Sequence, residues 1–221
     1  MQRDDQGAYY LGYRLLRLGQ RVDQETALIE ASRKVMDHLG EVTNESIFLG
    51  VASGTDCVCV AAYESPQSVR LYARVGRRAP LCVGGVPKIL LAFMPTTERV
   101  EVLDELFAGR DTLPKYGISR AKVEAQIAEI QARGCAIIAD ELDHGAHSVA
   151  APIRDFTGQV VAALSIAGPS PRFPAERIAN YEDVVLKAAA AISHKLGYAD
   201  PNAESAPLPE TDESPQFLVM D

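Results

Sequence analysis

Apolar positions recur along this chain with two periods, one near 3.6 residues and one of 2, and the two occupy separate blocks. Leu28, Ala31, Val35, Met36 and Leu39 share one face between Asp23 and Leu39. That spacing predicts an amphipathic helix, with Gly40 following as a residue suited to a left-handed cap. Ahead of it, Tyr9 to Val22 repeats Leu11, Leu15 and Leu18 at helical spacing. Gly12 and Gly19 lie inside that pattern at a cost of about 1 kcal/mol each relative to alanine, so an exposed or interrupted helix is expected. The period then changes to 2. Strands are predicted over Ser46 to Ala52, Cys57 to Tyr63 and Ser68 to Arg74. In the third, Val69, Leu71 and Ala73 alternate with Arg70, Tyr72 and Arg74, and two of the three should form a hairpin around the turn at Ser53, Gly54, Thr55 and Asp56.

Gly84 and Gly85 open a short apolar helix from about Val86 to Phe93, and a second runs from Thr96 to Phe107 after Pro95. Ser119 is placed to cap a helix whose Val123, Ile127 and Ile130 form a stripe ending at Gly134. Strands follow over Cys135 to Ala139, Ser148 to Arg154 and Gln159 to Ala167, the last two reading as a hairpin through Asp155 and Gly158. A closing helix from about Ala175 to Leu196 turns Ile178, Val185, Ala188, Ile192 and Leu196 inward. Strands grouped and joined by hairpins, with helices before, between and after them, describe an α+β domain built on a mainly antiparallel sheet.

Composition changes this picture at the ends. With 47% hydrophobic residues in 221, the body can bury a sizeable core, and no apolar run reaches the length of a membrane span. No secretory signal opens the chain, so a cytoplasmic location is expected. The net charge of −8 is concentrated beyond Ala199, where six acids stand without a lysine or arginine, which leaves the rest with 24 acids against 22 bases. That tail, with Pro201, Pro207, Pro209 and Pro215, cannot bury enough apolar area to fold and reads as a disordered appendage, or as a partner motif around Phe217, Leu218 and Val219. The expected division is 1–22, 23–198 and 199–221.

Chemistry-bearing residues are few. Cys57, Cys59, Cys82 and Cys135 have neither zinc-ribbon spacing nor the pattern of a disulfide framework, and the Cys57–Cys59 pair points both thiols to one face of a strand. Asp140, Glu141, Asp143, His144 and His147 fall within eight residues, which suits either a solvated loop or a metal sensor using His144, His147 and a carboxylate. Cys82, near a helix start, reads either as a buried thiol or as the lowered-pKa nucleophile of an enzyme. Gly84 and Gly85 let backbone N–H groups approach a small ligand, and a helix N-terminus favours an anion or carbonyl oxygen there. Lys88 follows on that helix with no phosphate-loop pattern, and Ser148 and Ser165 add hydroxyls on neighbouring strands.

In order and spacing, one set of residues resembles the C-terminal effector-binding domain of the IclR (isocitrate-lyase-regulator) type of bacterial transcription regulators. The set runs through Tyr10, Leu11 and Gly12, Leu18 and Gly19, Val69 and Arg70, Val75 and Gly76, Pro80 and Leu81, and Lys88 with Leu91 and Ala92. It continues with Arg133 and Gly134, Asp140, Glu141 and Gly145, Ala150 to Ile153, and Ala163 to Gly168, so that the match covers about Ala8 to Tyr198. The resemblance implies a GAF-like (profilin-like) curved antiparallel sheet flanked by helices, no enzymatic activity and no cofactor. It also implies a homodimer or homotetramer that couples a small organic metabolite to operator DNA through an N-terminal winged helix-turn-helix. That module is not among these 221 residues; Asp4 to Tyr10 looks like the last strand of its wing, and the near-neutral body offers no basic footprint of its own.

Carried over residue by residue, the resemblance places the loop amides at Gly85 and Val86, an apolar wall at Leu71 and Ala79, and hydroxyls at Ser148 and Ser165. Ile138 and Ala167 stand where relatives that bind small carboxylates have an acid and a second serine. The expected ligand is therefore a carboxylic or aromatic acid with a larger or more apolar body. A GAF-like enzyme using Cys82 and a metal sensor using His144 and His147 are the rival readings.

Overall fold

The computed structural model describes residues 2–3, 9–10, 24–72, 74–108 and 111–199. The helix expected over 11–22 and the acidic tail from 200 lie outside these residues. Gln2–Arg3 (β1) and Tyr9–Tyr10 (β2) pair antiparallel, so the stretch expected to start helical at Tyr9 begins as a strand.

Helix α1 spans Gln24–Thr43, four residues beyond the expected end at Leu39. Gly40 is not a left-handed cap; the left-handed residue is Asn44, at φ 55°, whose N–H reaches the Gly40 carbonyl at 2.8 Å. Gly40 is there for space, because a Cβ on it would come within 2.1 Å of the Tyr63 ring. Strands β3 (Ser46–Ser53) and β4 (Asp56–Tyr63) form the expected hairpin, followed by a short β5 (Arg78–Pro80).

The strand expected over Ser68 to Arg74 is not one. The slot beside β4 is taken instead by 76–80, with Gly76 N–H bonding the Cys59 carbonyl at 2.7 Å and Cys59 N–H bonding the Arg77 carbonyl at 3.0 Å. The 64–72 stretch runs as a strap held by side chains, the Val69 carbonyl accepting from Arg172 and the Leu71 carbonyl from Ser46. With no neighbouring strand its alternation makes no continuous buried face: Val69 is 70% exposed while Leu71 is half-buried.

Next come α2 (Gly85–Phe93), α3 (Thr96–Phe107), the short pair β6 (Thr112–Leu113) and β7 (Ile118–Ser119), and α4 (Arg120–Arg133). Ser119 caps α4 through its side chain, and Gly134 ends it at φ 79°, both as the sequence pattern indicates. Strands β8 (Ala136–Ala139), β9 (Ala146–Arg154) and β10 (Val160–Pro169) and helix α5 (Ala175–Lys195) complete the chain. Six strands form one curled antiparallel sheet in the order β5-β4-β3-β10-β9-β8.

The two faces of that sheet are unlike. Ile47, Leu49, Val149, Ala151, Leu164 and Ile166 meet α1 and α5 in one core. The alternate positions of β9 and β10 include Ser148, Ala150, Ala163, Ser165 and Ala167 and turn to the other side, where Ala150 and Ala163 share a core with α2, α3 and α4. Small side chains there let α2 approach closely and leave space at its start. The other end of α2 is fixed by its Ala92 carbonyl, which accepts from Gln131 at 2.6 Å and Arg99 at 3.0 Å.

Helix propensity alone would have Gly40→Ala stabilise α1 by about 1 kcal/mol. The Tyr63 contact reverses the sign, and the variant should lose about 1–3 kcal/mol, read as a lower urea midpoint at unchanged slope.

Candidate functional site

The space left between the small-residue face and the start of α2 is a half-enclosed cavity of about 120 Å³, walled also by the strap and the β8–β9 loop. Leu71, Ala79, Gly85, Val86, Ile138, Ser148, Ser165 and Ala167 all line it, so the positions marked by the resemblance lie around one space. Most of the wall is apolar, with Phe48, Leu49, Cys57 and Leu142 added to these.

The two glycines have different jobs. Gly84 caps α2 at φ 92°, in the left-handed region that favours glycine. Gly85 is needed for proximity, since a Cβ on it would sit 2.6 Å from Ser148 Oγ and 3.3 Å from Ala150 Cβ. Gly85 and Val86 are the first residues of α2, where backbone N–H groups have no intrahelical acceptor. Opposite them on β10, Ser165 is 2% exposed, and its hydroxyl makes no hydrogen bond to protein among the described residues. A hydroxyl without a protein partner, open to a cavity, can donate to and accept from a ligand group or water there.

Behind the cavity lies a buried ion pair that the sequence pattern did not reveal. Lys88 is fully buried and bonds Glu141, itself 9% exposed. Gln126 bridges the two, accepting from Lys88 Nζ at 2.6 Å and donating to Glu141 Oε1 at 3.0 Å. The Gly84 N–H donates to Glu141 Oε2 at 3.2 Å, so the pair also fixes the cap of α2. Burial alone would raise the Glu141 carboxyl, yet the Lys88 ammonium, Gln126 and the Gly84 amide together hold it below the ordinary carboxylate range. Burial lowers the Lys88 ammonium, and Glu141 offsets part of that. The one signal in the sequence is a single lysine in a helix whose other positions from Gly85 to Ala92 are apolar or glycine and are all buried.

The rival readings meet specific obstacles. Cys82 is fully buried, is not part of the cavity wall, and burial pushes its thiol up to about 11, the direction opposite to that of an activated nucleophile. In the acidic loop each side chain is differently engaged. Asp140 accepts from the Gly145 N–H in a turn, Glu141 bonds Lys88, and Asp143 bonds Arg77 across the cavity mouth. His147 stacks on Phe173 with Nδ1 3.0 Å from Ser170 Oγ, while His144 is exposed. Among the described residues no three His, Cys, Asp or Glu side chains gather as a metal site would require.

Comparison with known proteins bears on the family and the fold. The family model described as bacterial transcriptional regulator IclR, C-terminal, matches residues 20–194. The transcriptional regulator KipR of Bacillus subtilis is 30% identical over 201 residues, covering 90% of this chain and 79% of KipR. KdgR of Escherichia coli is 31% identical over 199 residues, covering 90% and 75%. Among solved structures, the IclR protein of Thermotoga maritima superposes with a TM-score of 0.71 at 28% identity, covering 89% of this chain and 79% of that one. The C-terminal domain of E. coli KdgR gives 0.68 at 28% identity, covering 78% and 99%.

Removing one member of the buried pair strands the other charge, so Lys88→Met should cost about 3–5 kcal/mol, and adding Glu141→Leu should restore most of it. The pH dependence follows the carboxylate. Its contribution is fully present above the ordinary value of 4.5 and is lost as pH falls through the lower folded value, so the double variant should show a shallower acid limb of stability than the wild type in urea titrations at successive pH values.

Proposed function

The chain belongs to the IclR family of bacterial transcriptional regulators, as their C-terminal regulatory domain, and from that premise we propose that its cavity binds a small organic effector. The observation that carries this is Ser165, whose hydroxyl lies on the cavity wall without a protein partner among the described residues, across an apolar space from the first-turn amides of a glycine-opened helix. A cavity of that kind would be filled by side chains if packing were its only purpose.

The lining sets the ligand class. A volume of about 120 Å³ is close to the ~150 Å³ of an apolar cavity that takes up benzene, so the body of the ligand is ring-sized rather than a dinucleotide. Ile138 and Ala167 offer it no hydrogen bonds, and a small hydrophilic acid would leave polar groups unpaired at roughly 1–3 kcal/mol each. The effector is accordingly an aromatic or branched aliphatic molecule whose carboxylate or carbonyl rests on the Gly85 and Val86 amides, with Ser165 and Ser148 beside it. Occupancy would bias one arrangement of a dimer or tetramer over another, and operator DNA read by a winged helix-turn-helix would respond reciprocally.

Calorimetry of the 221-residue chain should show benzoate binding more tightly than pyruvate. Gly85→Val, whose side chain occupies the space beside Ser148, should abolish both, and Ser165→Ala should weaken benzoate about ten-fold. Pyruvate binding the tighter of the two would overturn the ligand class, and benzoate binding undiminished in Gly85→Val would overturn the site.

A further inference from the structure

We propose that Arg77 is a second recognition point of the cavity, for the far acidic group of an effector that carries two, with Asp143 serving as an intramolecular substitute for that group. The inference rests on the cavity being the effector site, and it adds the chemical class: an acid at each end of an apolar body.

Arg77 and Asp143 both line the cavity and meet across its mouth from positions 66 residues apart, Arg77 from the segment leading into β5 and Asp143 from the β8–β9 loop. The way they meet is informative beside an arginine that holds a buried carboxylate. Arg172 presents two nitrogens side-on, Nε at 2.5 Å and Nη2 at 2.6 Å from the two oxygens of Glu45, which is 1% exposed. That is the full planar fork and a structural clamp. Arg77 spends a single nitrogen, Nη2, on both Asp143 oxygens at 3.1 Å each, and its Nη1 is 3.4 Å from the Tyr72 carbonyl. Its Nε makes no hydrogen bond among the described residues, so the side-on edge formed by Nε and an Nη nitrogen is not engaged as a fork.

The pair is also inexpensive to exchange. Side-chain exposures of 36% and 46% put it among ion pairs that contribute about 1 kcal/mol or less. Glu141, the remaining carboxylate on the wall, is committed to Lys88, which leaves Arg77 as the charge at this cavity able to change partners. A ligand with one carboxylate on the α2 amides and a second at the mouth replaces Asp143 with a side-on contact, and Asp143 turns to water. A ligand with a single acid has no use for Arg77.

The test compares acids that share a skeleton, by calorimetry on the 221-residue chain at neutral pH and low salt: benzoate with isophthalate, and hexanoate with hexanedioate. At least one diacid should bind about ten-fold or more tightly than its monoacid, the range of a hydrogen-bonded charge. Arg77→Gln should bring that pair within about two-fold by weakening the diacid, and Asp143→Asn should strengthen the diacid several-fold by removing its competitor. Both substitutions lie at the surface, and an unchanged melting temperature shows that the variants fold. Equal affinities within both pairs, or a diacid preference that survives Arg77→Gln, overturn the role of Arg77 while monoacid binding lost in Gly85→Val leaves the effector site standing. If none of the four acids binds, the effector-site reading falls, and this inference with it.

Discussion

The close approach of α2 to β3, β9 and β10 is the constraint on which the rest of this molecule is built. It is possible because Gly50, Gly85, Ala150 and Ala163 carry little or no side chain where helix and sheet meet; a Cβ on Gly50 would come within 2.7 Å of both Cys57 Sγ and a Val86 methyl. The same small face continues past the start of the helix as Ser148, Ser165 and Ala167, with no helix left to cover it. The cavity is therefore the continuation of a packing solution. Its polar groups, the first-turn amides of α2 and two serine hydroxyls, face each other because the helix begins there.

A helix start pressed into a core leaves donors to be satisfied, and the Lys88, Glu141 and Gln126 group answers that need from behind. Glu141 accepts from Gly84, the donor at the cap, and Lys88 compensates the carboxylate one turn along the same helix. Two charges buried in this way are weak evidence of added stability, since hydrophobic residues of the same volume do as well or better. Their consequence is positional: the amides of Gly85 and Val86 are held at the cavity by a network joining α2, α4 and the β8–β9 loop.

Periodicity made the architecture legible. Period-2 blocks gave the two hairpins, and Ser119, Gly134 and Gly84 marked helix ends where caps form. It failed where an alternating segment had no partner, as at 68–74, because alternation states which residues share a side and not whether a strand lies alongside. It failed also at Gly40, where the reason for glycine is the Tyr63 ring, a residue far off in sequence. The eight positions marked by family resemblance are collected around one cavity, whereas the charged groups that shape it were not legible. Lys88 with Glu141 and Arg77 with Asp143 are pairings across 53 and 66 residues, and neither leaves a local pattern.

Three consecutive residues on the β8–β9 loop connect these two kinds of contact. Glu141 faces inward to Lys88 and Gly84, Leu142 packs against Gly84 at 3.7 Å from where its Cβ would stand, and Asp143 faces outward to Arg77. The inner bond is buried and costly to break, and the outer one is exposed and cheap. A ligand that takes over Arg77 therefore acts on the outer contact and leaves the inner one in place. That outer contact joins the tip of the loop to Arg77, which lies between β5 and the strap of 64–72. The strap is tied at its far end to Arg172 through Val69, and Arg172 is clamped on Glu45 between α1 and β3. Side-chain contacts thus run from the mouth to the region where α1 enters the sheet. Contacts of that kind can have two arrangements of similar energy, which is what a ligand needs if its binding is to shift a population.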